Sequence, residues 1–450
     1  MSLESLQHTQ KQLSNGGIVL VLNTGALIGP ESEAMLQALH SRSIGGIRNH
    51  LEVLKNKGPE KFMSTFYVGY GHKSIGDCAT ATIFVEGVSM LVAKAIQDWP
   101  LYSGQEASTR YIDFKNQLFI DPKNTKDSKE ILENWRSFYV KGLERLSKEL
   151  PKRFPINEGE EEKTYNKAIM ARAFDIMRSF LPSGATTNLA WHTNFRQAAD
   201  HLMRLRHHPL DEVREVVNKI EEALEETFPS SFGHPKFETT EKYNKDWMQT
   251  EYYYENKNLK DFGLIRNGID IKSLKKFQKF LKKRPIKTEL PKEIKECGDL
   301  QFEFLLDFGS FRDIQRHRAI TQRMPLVVET HGFEEWYLSE LPKDLREEAK
   351  KLIREQKSKI AKLKLDNYQK QYYIPMGYKL PNKISGSLPS ILYMCELRST
   401  IFVHPTLRKR AIQIAKTLEQ KFKKVDLVVH SDKGLDRFDI KRGEQDIVVK

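Results

Sequence analysis

The feature that most restricts the fold is an order of elements that repeats on either side of a polar, aromatic-rich stretch, about Pro229 to Asn256. Each flank carries an apolar, strand-like run, ATATIFVEGVSM in the first and DLQFEFLLDFGSF in the second. Each run leads to an arginine-bearing motif and then to a charged helical stretch, roughly 126–150 and 342–366. A turn containing Pro follows in both, SFLPSGATT and YYIPMGYKLP, and both flanks close on a helix bearing Leu-Arg and then His-Pro. Matching order with weak identity is what an old internal duplication leaves behind. The expectation is two tandem α+β domains, 1–235 and 236–450, each a mixed sheet packed with helices. Coincidence between two unrelated α+β domains is the alternative.

A chain of 450 residues is well above single-domain size, and 39% hydrophobic with 10% aromatic residues excludes wholesale disorder. The first residues, MSLESLQHTQKQLSNGG, lack the apolar run of a secretion signal. No stretch approaches the roughly 20 apolar residues of a transmembrane helix, so a cytoplasmic chain without membrane contact is expected. Cys78, Cys297 and Cys395 stand far apart and match neither a disulfide framework nor a metal spacing. Structural thiols and no bound metal are the simple reading. An excess of 73 Lys+Arg over 60 Asp+Glu, net +13, favours anionic partners such as nucleotides, polyglutamylated folates or nucleic acid. A solvated lysine surface accounts for the same number, because many lysines lie on amphipathic helices such as KKFQKFLKKRP and EEAKKLIREQKSKIAKLK.

Three local patterns carry chemistry. In the second half, FRDIQ precedes Arg316-His317-Arg318. Arginine offers a fixed fork for phosphate or ring carbonyls, and histidine can hydrogen-bond from either nitrogen at neutral pH. A solvated basic turn is the bland reading of that triplet. In the first half, QEASTRY places Glu106, Ser108 and Arg110 on one face if the segment is extended. A hydroxyl beside a guanidinium makes a phosphate clamp. Upstream, Gly71-His72-Lys73-Ser74 is turn-like and can bring a histidine to a ligand.

Together these pieces resemble the flavin-dependent thymidylate synthases, whose motif R-H-R-x2-S-x2-E-x-S-x-R-Y follows a Gly-His-x-Ser turn and a strand ending near Gly-Val-Ser. The first half reads GHKS at 71–74 and FVEGVS at 84–89. It then has Asp98-Trp99-Pro100 in place of Arg-His-Arg, followed in register by Ser103, Glu106, Ser108, Arg110 and Tyr111. The second half keeps the triplet, but only Thr321 matches thereafter; Met324, Leu326 and Val328 stand at the later positions. Downstream, Arg178-Ser179-Phe180-Leu181-Pro182 resembles the R-x-x-L-P element, where the second half has Gln371. The Leu-Arg before the last helix matches Arg398 and, in the first half, Arg206 or Arg204.

The resemblance implies a chain that methylates dUMP to dTMP with methylenetetrahydrofolate, FAD as redox carrier and NADPH as reductant. It places His72, Ser74, Glu106, Arg316, His317, Arg318 and Arg398 by the flavin. Ser108, Arg110, Tyr111, Arg178 and Arg206 would bind the nucleotide, with Arg178 and Ser108 as the catalytic pair. Family members are homotetramers with sites between chains. The split motif therefore implies a site shared by the two halves, and a homodimer imitating the tetramer. A flavin hydride removes the need for a cysteine nucleophile. Two alternatives remain: a flavoenzyme acting on another uracil nucleotide or a nucleic-acid base, with nucleic acid allowed but not favoured, and a non-catalytic nucleotide-binding or interaction protein.

Overall fold

The structure is a computed structural model and describes residues 7–22, 28–41, 46–110, 112–432 and 434. Tyr111 lies outside the described residues. The described chain forms two compact units, each assembled from two segments: Met1–Ser108 with Ala185–Tyr252, and Thr109–Gly184 with Tyr253–Lys450. This differs from a division at 235/236. The reason is that the helical pair Lys126–Arg153 and Glu162–Met177 of the first half buries its apolar face in the second unit. There Trp135 Nε1 donates to the Tyr373 carbonyl at 3.1 Å. Arg153 and Arg172 both pair with the buried Glu340 (3.0 and 3.1 Å).

The first unit is built on five strands: β1 (His8–Gln12), β2 (Ile18–Leu22), β3 (Thr80–Ser89), β4 (Ser103–Glu106) and β5 (Thr186–Asn194). They lie in the order β1-β2-β3-β5-β4, antiparallel throughout. Alternation along β3 sends Ala81, Ile83 and Val85 inward, as the period of two requires. Helices Phe195–Leu205 and Asp211–Thr227 supply the facing core through Leu202, Val216, Val217 and Ile220.

In the second unit β6 (Tyr253–Tyr254), β7 (Phe262–Asn267), β8 (Asp299–Asp307), β9 (Thr321–Gln322), β10 (Met324–Pro325) and β11 (Lys379–Ser387) follow in chain order. The main sheet runs β7-β8-β11-β9, again antiparallel, and a two-residue parallel pair joins β6 to β10. The α+β class is as expected. Where mixed sheets were anticipated, parallel pairing is confined to β6/β10, because the main strands are joined by connections that return them antiparallel. Phe302, Phe304, Leu306, Ile384, Leu388 and Leu407 form the core beneath this sheet.

The two units repeat one another in detail. β5 and β11 each have nine residues and stand 193 positions apart (186 to 379, 194 to 387). The helices that follow, Phe195–Leu205 and Leu388–Arg398, keep that spacing and a length of eleven. β4 meets β5 with Ser103 opposite His192; β9 meets β11 with Thr321 opposite Ser385, the same register. Within the second unit the two Pro turns cross antiparallel at Pro182 and Pro375. Ser183 N donates to Ile374 O (2.9 Å) and Gly184 N to Tyr372 O (3.0 Å); reciprocally, Met376 N donates to Leu181 O (2.9 Å) and Gly377 N to Ser179 O (2.8 Å). The crossing is self-complementary, as at a two-fold axis. Gly184 and Gly377 occupy matching places because a Cβ there would come within 2.7 Å of the Tyr372 carbonyl or of Ser179 Cβ.

Candidate functional site

The second unit holds a buried polar network at the end of β8. Asp307 caps the helix Phe308–Ile314, accepting from Ser310 N (2.9 Å). Its other contacts are the Tyr337 hydroxyl (2.8 Å) and the Thr406 hydroxyl (2.6 Å). Arg178 ends the helix Glu162–Met177 in this network and donates from Nη2 to Ser310 Oγ at 3.3 Å. Burial alone would lower its pKa, but Tyr337, Asp175, Asp307 and Asp313 outweigh burial and raise it, so the guanidinium stays charged. His404 is fully buried against Ser310, Thr406 and the Asp175 carbonyl; burial and then Arg178 keep it neutral.

Arg110 reaches the same unit. It grips Asp175 bidentately, with Nη2 at 2.7 Å from both carboxylate oxygens, while a third of its side chain stays accessible. Asp313, whose charge also reaches Arg178, is felt by Arg398 and His317, and Arg316 lies 3.8 Å from its carboxylate. Arg398 donates from Nε to His317 Nε2 (2.7 Å) and from Nη2 to the Asp313 carbonyl (2.9 Å). Burial, then the Arg398 charge, lowers the His317 pKa to about 3. The ring is therefore neutral, with Nε2 as acceptor. Arg316 and Arg318 flank it in an exposed turn. Arg110, Arg178, Arg316, His317 and Arg398 thus fall in one unit, linked through Asp175 and Asp313.

The first unit holds the remaining candidates. β4 ends at Glu106, and Thr109 and Arg110 lie in a turn, so Glu106, Ser108 and Arg110 do not continue one strand face. The Glu106 carboxylate is turned into the core, bound by Lys94 (2.6 Å) and Gln97 (2.9 Å). That contact accounts for Glu106 structurally. His72 and Ser74 are exposed, and His72 ends a ladder of rings, Phe62–Phe66–Tyr70–His72, spaced 5.0, 5.8 and 6.2 Å. The ladder rides on a π-helix, Met63–Gly69, a deformation common at functional sites. It borders a cavity of about 400 Å3 whose walls include Tyr70, Gly71, Lys73, Arg196, Arg206 and His234. Arg206 pairs there with Glu221 at 3.2 Å. Strand and helix spacing sets Arg398 against Leu205, one position from Arg206.

Sequence reasoning did not single out Asp175, Asp313, Tyr337 or the cavity. The aspartates precede Arg178 and Arg316 by three residues, one helical turn, which is the readable signal. Tyr337 comes from a helix with no motif of its own. Where the second half has His317, the first has Trp99, whose indole stacks on His201 (4.6 Å, 27°) and donates to Gln197 (2.8 Å). Where the first half has Arg178, Gln371 is buried, accepting from Val327 N and donating to Tyr368 O.

Residues 30–230 match the family model described as thymidylate synthase complementing protein. Similar proteins span both halves. A UPF0159 protein of Thermoplasma acidophilum is 23% identical over 431 aligned positions, covering 80% of this chain and 86% of its own length. UPF0159 proteins of Chlamydia muridarum and Chlamydia pneumoniae are each 24% identical; they cover 78% and 75% of this chain, and 77% and 74% of their own lengths.

Proposed function

We propose that the chain is a flavin-dependent thymidylate synthase-like enzyme, that its halves arose by duplication with a boundary near 235/236, and that its nucleotide site draws on both. One observation carries this reading. Arg110 and Arg178 of the first half share a compact unit and intervening carboxylates with Arg316, His317 and Arg398 of the second. Each half keeps what the other has lost. In this reading Arg178 and Arg110 hold dUMP, Arg178 polarising a uracil carbonyl and Arg110 meeting the phosphate; Ser108 and Arg206 are the nucleotide-binding candidates of the first unit, taken by itself. Asp175 orients the Arg110 fork.

The structure's groups suit a flavin. The ring ladder ending at His72 offers a flat platform, and Arg196 Nε, Arg206 Nε and His234 Nε2 are buried nitrogens of cavity-lining residues without a hydrogen-bond partner. We assign flavin-binding roles to His72 and Ser74 within the first unit and to Arg316, His317, Arg318 and Arg398 within the second, each unit taken by itself. When bound, the flavin, reduced by NADPH, would supply the hydride that reduces the methylene group transferred from methylenetetrahydrofolate to the methyl of dTMP. Burial raises the Cys395 thiol far above its ordinary pKa, which suits chemistry without a cysteine nucleophile. In this reading Trp99 stands where the second half has His317, which would leave one set of groups per chain, and a homodimer would imitate the family's tetramer with fewer sites.

Growth of a thymidine-requiring bacterium tests the proposal. The chain should rescue growth, and Arg110→Ala and Arg316→Ala should each abolish rescue. Survival of rescue in Arg316→Ala would overturn the shared site. Purified protein should release FAD on denaturation.

A further inference from the structure

Two lysine-rich stretches of the second unit differ in what their charges meet. On the helix Lys343–Lys362, Lys350 pairs with Glu347 (3.0 Å), Lys351 with Glu355 (3.8 Å) and Lys359 with Glu130 (2.6 Å). Between Ile271 and Lys287 the sequence has seven lysines and one arginine but no Asp or Glu. Arg284 is internal, tied to Glu396 and to the Thr288 and Val428 carbonyls. All seven lysines are exposed, and among the described residues their single ion pair is Lys282–Asp426 at 4.0 Å. The short helices Ile271–Lys275 and Gln278–Lys283 set like charges three and four residues apart, at 272/275, 272/276, 279/282 and 279/283, each a repulsive spacing. The turn Lys423–Val425 packs against both helices and adds exposed Lys423 and Lys424.

The segment's apolar residues decide the partner. Leu274 and Leu281 are fully buried and Phe277 packs on the same core. The helices therefore have no free apolar face, which a membrane-surface helix needs. What projects is scattered singly among lysines: Ile271, Phe280, 55% exposed, and Ile286, 67% exposed. Unpaired cations interleaved with an accessible aromatic ring match single-stranded nucleic acid, which offers phosphates at short intervals and bases that stack on rings. We infer that residues 271–287, with Lys423 and Lys424, form a binding surface for single-stranded nucleic acid. Lysines neutralise phosphates and Phe280 stacks on a base. The inference is independent of the proposed enzyme activity.

The test is fluorescence anisotropy of the full chain with labelled single-stranded oligo-dT and oligo-U over a salt series. Binding should weaken steeply with salt. Lys275→Gln, Lys276→Gln and Lys279→Gln together should lower affinity at least tenfold and reduce the log–log salt slope by about 2. Phe280→Ala should weaken binding roughly fivefold or more with the slope unchanged. Lys350→Gln, Lys351→Gln and Lys359→Gln together should leave binding as it was. Three results would overturn the inference: no oligonucleotide binding at about 0.1 M salt, equal losses in the two triple variants, or capture by phosphatidylserine vesicles without oligonucleotide binding.

Discussion

At the end of β3, the Ser89 amide and hydroxyl both reach the Glu212 carboxylate, at 2.9 and 2.6 Å. At the end of β8 the chemistry is exchanged: the strand supplies the carboxylate, Asp307, and the helix supplies the hydroxyl, Thr406, at 2.6 Å. Both pairs hold a strand end to the start of a long helix and cap the intervening one. Either residue order closes that joint. Moving the carboxylate onto the strand has a further effect, because Asp307 then also meets Tyr337 and lies within electrostatic reach of Arg178. The same joint is a clasp in one unit and part of a charged cluster in the other. The Trp99 and His317 positions differ likewise: one is filled by stacking on His201, the other holds a neutral imidazole against Arg398.

The largest effect should come from the charged cluster. Arg178→Ala removes the buried cation within electrostatic reach of Asp307, Asp175 and Asp313, while Arg110 still pairs with Asp175, and should cost about 3–5 kcal/mol in urea unfolding as well as growth rescue. A cost under about 1 kcal/mol would mean that the cluster is solvated. Next, Glu106→Gln in the first unit strands Lys94 in the core and should cost about 2–3 kcal/mol. If stability held while FAD content fell, Glu106 would be a flavin residue after all. The exchanged joints come third. Asp307→Ser should cost about 1–3 kcal/mol, and adding Thr406→Glu should recover part of it. The mirror exchange, Ser89→Asp with Glu212→Thr, should recover more, because the exchange at 307 and 406 also displaces the acceptor of the Tyr337 hydroxyl. Equal recovery would erase the distinction between the joints.

The smallest effect concerns acid. His317 and His201 both have folded pKa values of about 3 through burial, against 6.5 ordinarily. Below pH 6.5 the unfolded chain takes up protons that the folded chain refuses, so stability falls as pH drops toward 3. Each ring should account for about 1–2 kcal/mol of the loss between pH 7 and pH 5. Replacing either with Gln should flatten the melting temperature over that interval. An unchanged slope would show that the ring is wet.

The α+β class was legible because hydrophobic period and turn chemistry are local. Arg178, Arg316 and Arg398 were legible through spacing to Pro, His and Leu. The interleaving of segments was not, since nothing local in 109–184 says which sheet its long helices cover. The fate of Glu106 was also hidden: strand alternation set it on one face with Ser108, but Lys94 and Gln97, one helix upstream, draw it into the core. Trp99 could be read as a departure from the motif. That its indole stacks on His201 depended on a residue about a hundred positions away.

The crossing at Pro182 and Pro375 has a consequence for how such a chain can diverge. Two identical subunits meeting this way must accept every substitution twice, once on each side of the axis. Joined in one polypeptide, the two sides are inherited separately, and the encounter no longer depends on protein concentration. One copy can then keep an arginine at 178 while the other settles for Gln371. Specialisation of this kind is open to a fused pair and closed to a symmetric dimer, and cutting the chain between its halves would leave neither fragment with the second unit's full complement of strands and helices.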